Sequence, residues 1–300
     1  MRFGIMSMQM DALIPDTRSS ESPEQVLAHI AAFDHASLVS DLAEQGLNLI
    51  ELGGDLTLFF PNAFSPETIG RLAYLKRERG LNYTVHLPLW SVEPSTPLEP
   101  VRSGSVAAVI DTIRATQGLS PEMYVLHATG ALAAEFYQMH LPETARLLLL
   151  RQFQSGARSS LKTILAETGL PSRKLAIETI EFPFDLTLEL AEELDLSICF
   201  DTGHVLVGFS GPIDFFEALQ RCMPRLGEIH LHDAPRFRQN RKPLYGEDHR
   251  PLGTGDLEIT RFLDHLEGEN FRGPIIFELQ MDQALESIAV IQSLRPELLD

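Results

Sequence analysis

Ser197-Ile198-Cys199-Phe200-Asp201, followed at once by Thr202-Gly203-His204, is an apolar run that ends in a carboxylate and a turn. A strand wetted on one face alternates apolar and polar side chains. A run without alternation is what a strand covered on both faces looks like, and such strands belong to parallel sheets packed beneath helices. Ile275-Ile276-Phe277-Glu278 repeats the pattern near the other end of the chain.

Working outward from these two segments, β-branched or aromatic stretches at Arg2–Ser7, Asn48–Leu52, Tyr83–Leu87, Met123–His127, Lys174–Thr179 and Glu228–His232 read as further strands, with Ser197–Asp201 and Pro274–Leu279 completing eight. Longer segments of helical periodicity fill the gaps. The clearest are Pro66–Arg79, opened by Ser65 and closed by Gly80, then Leu186–Leu194, Pro212–Cys222 and Leu257–Leu266. Alternation of this kind over 300 residues predicts an α/β fold, a single (β/α)₈ TIM barrel of about 250 residues plus loops. With no low-complexity linker, charge block or repeat to interrupt it, residues 1–300 are read as one domain. A doubly wound open sheet is the alternative, but no GxGxxG turn follows the first strand.

Composition narrows the function. Hydrophobic residues make up 44% and charged residues 22%, so a sizeable core is expected rather than disorder. A formal net charge of -18 surrounds the molecule with a negative field and disfavours nucleic acid as a partner. Met1–Asp16 has neither a basic start nor an apolar core, and nowhere do 18 apolar residues run together, so no leader and no membrane span are expected. The two cysteines, Cys199 and Cys222, lack CxxC spacing and read as buried thiols, which suits a reducing cytoplasm.

Seven metal-capable side chains fall at or near the ends of strands three to eight: His86, His127, Glu178, Asp201, His204, His230 and Glu278. In a parallel barrel those ends meet on one face. Each residue taken singly has a bland explanation as a loop hydrogen bonder or a helix cap. Six consecutive strands ending this way are better explained by a divalent cation, which removes the cost of crowding carboxylates into an apolar mouth.

These residues lie in HLP at His86–Pro88, LHATG at Leu126–Gly130, DTGH at Asp201–His204, HLHD at His230–Asp233, PLGTG at Pro251–Gly255 and FEL at Phe277–Leu279. In that order the motifs resemble the xylose isomerase-like barrel superfamily, which includes endonuclease IV and many sugar isomerases and epimerases. For a sugar isomerase or epimerase, the resemblance implies one divalent ion on Glu178, Asp201, His230 and Glu278, proton transfer by the two glutamates, and His204 with Arg236 on substrate oxygens. For an endonuclease IV-like enzyme it implies three ions: one on His86, His127 and Glu178, a second on the four residues just named, and a third on His204, Glu247 and His249. Such a cluster activates water and stabilises a phosphoester undergoing hydrolysis. Where the family pattern is Asp-x-His, this chain reads Glu247-Asp248-His249, which leaves both carboxylates open as ligands. There is also a looser similarity to cobamide-remodelling phosphodiesterases.

The loop Asp233–Arg250 concentrates five basic residues, Arg236, Arg238, Arg241, Lys242 and Arg250, out of 24 in the chain. Arginine forks match carboxylate and phosphate oxygens, so Arg236 and Arg238 are expected to meet an anionic substrate. Trp90 is expected to cover it. Phe59, Phe60 and Phe64 are further aromatic groups in these loops, with Phe64 read as packing. The resulting expectation is an enzyme with catalytic Glu178, Glu278 and His204 and one to three divalent ions, zinc or manganese by donor type. It would act on a small phosphorylated or sugar-like molecule, with phosphoester hydrolysis placed ahead of isomerisation or epimerisation. A third reading is a barrel that binds ligand through metal without turnover; two carboxylates suited to proton transfer argue against it. Oligomeric state is not legible.

Overall fold

The computed structural model describes residues 1–9, 22–238 and 243–299. Eight parallel strands close into a barrel in sequence order: β1 Arg2–Met6, β2 Leu49–Gly53, β3 Asn82–His86, β4 Tyr124–Leu126, β5 Leu175–Glu178, β6 Ser197–Asp201, β7 Leu226–His230 and β8 Pro274–Phe277. The last pairing returns β8 to β1, with Arg2 opposite Pro274 and Ile5 opposite Phe277. The fold is therefore the (β/α)₈ barrel expected, not an open sheet.

β2, β5 and β6 are buried along their whole length. Alternate side chains of a strand point to opposite faces, and each face has its own cover. Phe200 of β6 packs edge-on against Phe215 of an outer helix, ring centres 5.4 Å apart. Met123, Val125, Ala176 and Cys199 form a separate apolar cluster that plugs part of the barrel interior. Both cysteines are free and buried, as expected.

The helix Pro66–Arg79 has the predicted bounds: Ser65 Oγ accepts from Thr68 N–H at 3.2 Å, and Gly80 closes it at φ 68°. The helix predicted over Pro212–Cys222 starts later, at Phe215, because Asp214 caps it, Oδ1 accepting from Phe216 N–H and Glu217 N–H at 3.0 and 3.1 Å. Several crossovers carry two helices where the sequence reading anticipated one. Ala131–Gln138 and Glu143–Thr168 both lie between β4 and β5. Among the described residues, no helix is long and apolar enough to cross a membrane.

Two features of the carboxyl-terminal rim fix the loops that carry chemistry. DTGH is a capped turn: Asp201 Oδ1 accepts from His204 N–H at 2.6 Å and opens the short helix Thr202–Val207. Inside it, a Cβ on Gly203 would lie 1.9 Å from Asp248 O, so only glycine lets the two loops touch. HLHD and PLGTG form a clasp. Buried Asp233 accepts four backbone N–H groups, from Ala234 and Leu257 on Oδ1 and from Gly253 and Gly255 on Oδ2, each at 2.9 Å. At the opposite end of the barrel, Arg2 and Glu122 make a bidentate pair at 2.5 and 2.6 Å.

Candidate metal centre

The strand ends converge as the topology requires. Glu178, closing β5, is the hub: its Oε2 lies 3.2 Å from His86 Nε2 and 3.0 Å from His127 Nε2, and its Oε1 lies 3.2 Å from His204 Nδ1 and 3.5 Å from His230 Nδ1. Glu278, just past β8, brings Oε2 to 3.3 Å from both His230 Nδ1 and His249 Nε2. Asp201 Oδ2 is 3.9 Å from His230 Nδ1. Overlapping sets of donors gather here among the described residues, including His86–His127–Glu178, Glu178–Asp201–His230–Glu278, His204–Asp248–His249, Asp201–His232–His249–Glu278 and His86–His230–Glu278, each with its ligand atoms within 4.8 Å of one another.

These separations test the fit to a cation. A tetrahedral shell with bonds of about 2.1 Å has ligand-to-ligand edges of about 3.4 Å, which is the range spanned by most of the contacts above. The polar atoms are also short of partners. Glu178 Oε1, Asp201 Oδ2 and His230 Nδ1 are buried and make no hydrogen bond among the described residues. Buried polar atoms are normally satisfied, so three orphans facing one point fit a divalent ion with nitrogen and oxygen donors and no thiolate.

The electrostatics agree. Burial opposes the charged form of His86, but Glu178, Glu51 and Glu278 outweigh it and lift its pKa to about 9. Burial likewise opposes charging of His204, and Asp201 with Glu178 raise it to about 9. Asp248 is held near 2, because His249 and His204 overcome the effect of its burial. Glu178 and Glu278 also lie well below the ordinary glutamate range, drawn down against burial chiefly by His127 and His230 for the first and by His230 for the second. In the metal-free protein the rim thus holds anionic carboxylates balanced by protonated imidazoles.

Beside the donors is a cavity of about 290 Å³, lined by Met6, Leu89, Trp90, His86, His127, His204, His249 and Glu278 among others. Trp90, which is half exposed, stands where a substrate cover was expected and meets Phe59 edge-on at 6.1 Å. Phe64 packs on His35. The two arginines are not in this cavity's wall. Arg236 pairs with Glu258 at 3.2 Å and its backbone N–H binds Asp256, while Arg238 is exposed. Arg241 and Lys242 lie outside the described residues.

The carboxylate beside His249 is also relocated. Glu247 is partly exposed and pairs with Arg250. Its neighbour Asp248 has Oδ2 2.7 Å from His249 Nδ1 and 3.7 Å from His204 Nε2, so the place expected of Glu247 is filled by Asp248. The two residues are adjacent and their side chains diverge, with Asp248 O held in close approach to Gly203.

Two buried glutamates beneath the rim, Glu51 and Glu228, escaped the sequence reading, whereas His232, two residues past His230 on the same strand, reads from the sequence as a candidate support for a ligand. Glu51 in β2 has its Oε2 3.3 Å from His230 Nε2. Glu228 in β7 is fully buried, and burial together with Glu51 pushes its pKa well above the usual glutamate range. His232 donates or accepts at 2.8 Å with Asp201 Oδ1 and steadies that carboxylate. The signal for the two glutamates was a charged residue in the middle of an otherwise apolar strand.

With this geometry established, comparison with known proteins places it in context. The sequence model of the family described as xylose isomerase-like TIM barrel matches residues 39–295. An uncharacterized protein of Methanocaldococcus jannaschii is 24% identical over 224 residues, covering 71% of this chain and 70% of that one. Among solved structures, a D-tagatose 3-epimerase-like protein superposes with a TM-score of 0.70 at 21% identity, covering 98% of this chain and 97% of its own. A 3-keto-D-glucoside 4-epimerase from E. coli gives 0.68 at 16%, covering 98% and 99%. Endonuclease IV from Thermus thermophilus gives 0.66 at 17%, covering 99% and 100%.

Proposed function

The chain belongs to the xylose isomerase-like TIM barrel family, and from that premise we propose that it is a divalent-metal-dependent enzyme that hydrolyses a phosphoester in a small molecule. The observation that carries this reading is the set of three donor groups around one rim, two of them sharing Glu178. An epimerase needs only one of these groups. His86, His127, Asp248 and His249 are then surplus, whereas a multinuclear hydrolase uses all of them.

His86, His127 and Glu178 would hold one ion, Glu178, Asp201, His230 and Glu278 a second, and His204, Asp248 and His249 a third. Bound divalent metal supplies Lewis-acid stabilisation of developing negative charge and makes water acidic enough to react near neutral pH. Glu278, which lines the cavity with imidazoles 3.3 Å away on two sides, takes up and passes on a proton. Asp248 orients His249 through Nδ1. Trp90 and Leu89 cover the substrate and exclude water. A cavity of about 290 Å³ suits a small molecule rather than a duplex, in keeping with the net charge of -18.

A second reading is epimerisation or isomerisation of a sugar, favoured by the completeness of the Glu178–Asp201–His230–Glu278 set on its own and by the epimerases among the structural neighbours. Metal content of protein purified without chelator separates the two, together with turnover of bis-p-nitrophenyl phosphate and of ketohexoses. Hydrolysis predicts up to three ions per chain and the loss of one in the double variant His86→Ala/His127→Ala, with phosphoester cleavage falling at least a hundredfold, about 2.7 kcal/mol of transition-state stabilisation. A single ion untouched by that double variant, with ketohexose epimerisation retained, would overturn hydrolysis in favour of the second reading.

A further inference from the structure

Two of the rim histidines rest their rear nitrogen on a backbone carbonyl. His86 Nδ1 lies 3.0 Å from Leu87 O while Nε2 turns to Glu178, and His204 Nδ1 lies 3.0 Å from Thr179 O as well as 3.2 Å from Glu178 Oε1, while Nε2 turns to Asp248. His230 differs. Its Nδ1 faces the carboxylates of Glu178, Asp201 and Glu278, and behind it Nε2 meets the carboxylate of Glu51 at 3.3 Å.

Glu51 is a costly residue to keep in that place. It sits in the middle of β2, fully buried, and neither of its oxygens makes a hydrogen bond among the described residues. An isolated carboxylate in an apolar interior is unfavourable by several kcal/mol, and a second buried glutamate, Glu228, lies near enough for the two to interact electrostatically. Among the described residues its one ion-pair contact is His230 Nε2. A carboxylate behind a metal-ligating imidazole fixes which nitrogen carries the proton, holds the ring in plane with the ion and strengthens the ligand.

We infer that Glu51 is a positioning residue for the central metal set, accepting His230 Nε2–H so that the Nδ1 lone pair is presented to the ion held with Glu178, Asp201 and Glu278. The inference rests on the metal-dependent reading above but is indifferent to whether the reaction is hydrolysis or epimerisation, since both use this set. Glu51 touches no substrate; its action is entirely through His230.

The experiment is calorimetric titration of Co²⁺ into the full-length, chelator-stripped protein, with the visible d–d absorption of bound Co²⁺ as a second readout. Glu51→Gln keeps a neutral acceptor of the same shape and is expected to weaken the central site about tenfold; Glu51→Ala removes the acceptor and is expected to weaken it about a hundredfold. Both changes shift the Co²⁺ band, because His230 is no longer held in one orientation. Glu228→Gln removes an equally buried carboxylate that makes no ion pair with His230 among the described residues, and is expected to leave affinity and band unchanged. Should Glu51→Ala fail to fold, the Gln pair carries the comparison. Equal affinities for wild type and Glu51→Gln, or equal losses in Glu51→Gln and Glu228→Gln, overturn the positioning role alone. Wild-type protein that takes up no Co²⁺ overturns the metal reading and the inference with it.

Discussion

Asp233 and Glu178 are both buried carboxylates at the same end of the same barrel, yet their surroundings differ in kind. Asp233 is saturated by its own chain, with four backbone N–H groups at 2.9 Å. Glu178 faces four imidazoles and leaves Oε1 without a hydrogen bond among the described residues. Local chain geometry completes the first; the second is completed only by something from outside. A motif such as HLHD therefore mixes two duties, with His230 turned to the donor sets of the rim and Asp233 three residues later building the loop that supports them.

The largest test of that contrast is Asp233→Ala. Four donors lose their acceptor, two of them buried (Ala234 and Leu257 N–H) and two on exposed glycines, and with each buried one worth about 1–3 kcal/mol before relaxation, a net loss of about 2–5 kcal/mol is expected in urea unfolding of the metal-free protein. Added Zn²⁺ or Mn²⁺ should still raise its thermal midpoint. Glu178→Gln is expected to behave the opposite way, folding but showing a much smaller metal-dependent rise in melting temperature, because two of the three proposed ion sites lose a shared ligand; a normal rise in that variant would erase the distinction between the two carboxylates.

Acidity sharpens the same comparison with a smaller effect. His86 and His204 titrate near 9 in the metal-free protein, above the ordinary 6.5. Their charged forms consequently stabilise the metal-free fold below pH 6.5, and that contribution fades as pH climbs through 9. Metal needs the neutral rings and competes with those protons. Affinity for Zn²⁺ should rise between pH 6.5 and 9, with proton release on binding seen by calorimetry in buffers of different ionisation enthalpy; a flat profile would mean that these histidines are not ligands.

Arg236→Ala should do least. Its partner Glu258 is exposed and such pairs contribute about 0–1 kcal/mol, so stability and phosphoester turnover are expected to stay close to wild type. A large fall in turnover would instead bring the basic loop into the site.

How much of this was legible follows from the same contrast. Strand ends were readable because an apolar run that stops at His or Glu is a one-dimensional signal, and Ser197–Asp201 was bounded correctly from the sequence alone. Orientation was not. Glu247 and Asp248 are adjacent, and which of them meets His204 and His249 is visible only once the loop lies against Gly203, a tertiary fact. Arg236 was expected at substrate because loop charge was visible, whereas its partner Glu258, 22 residues on, was not. Glu51 went unread for a different reason: at mid-strand it lies below the rim where ligands were sought, and its importance depends on the imidazole that reaches down to it.

The tight seat of Gly203 against Asp248 O has an evolutionary consequence. A single base change to alanine at codon 203 would introduce a methyl group that presses first on the segment bearing Asp248 and His249 and next on the ring of His232. One methyl group is thus expected to separate a rim that keeps the His204–Asp248–His249 donor set from one that has lost it, while the two sets that share Glu178 stay assembled.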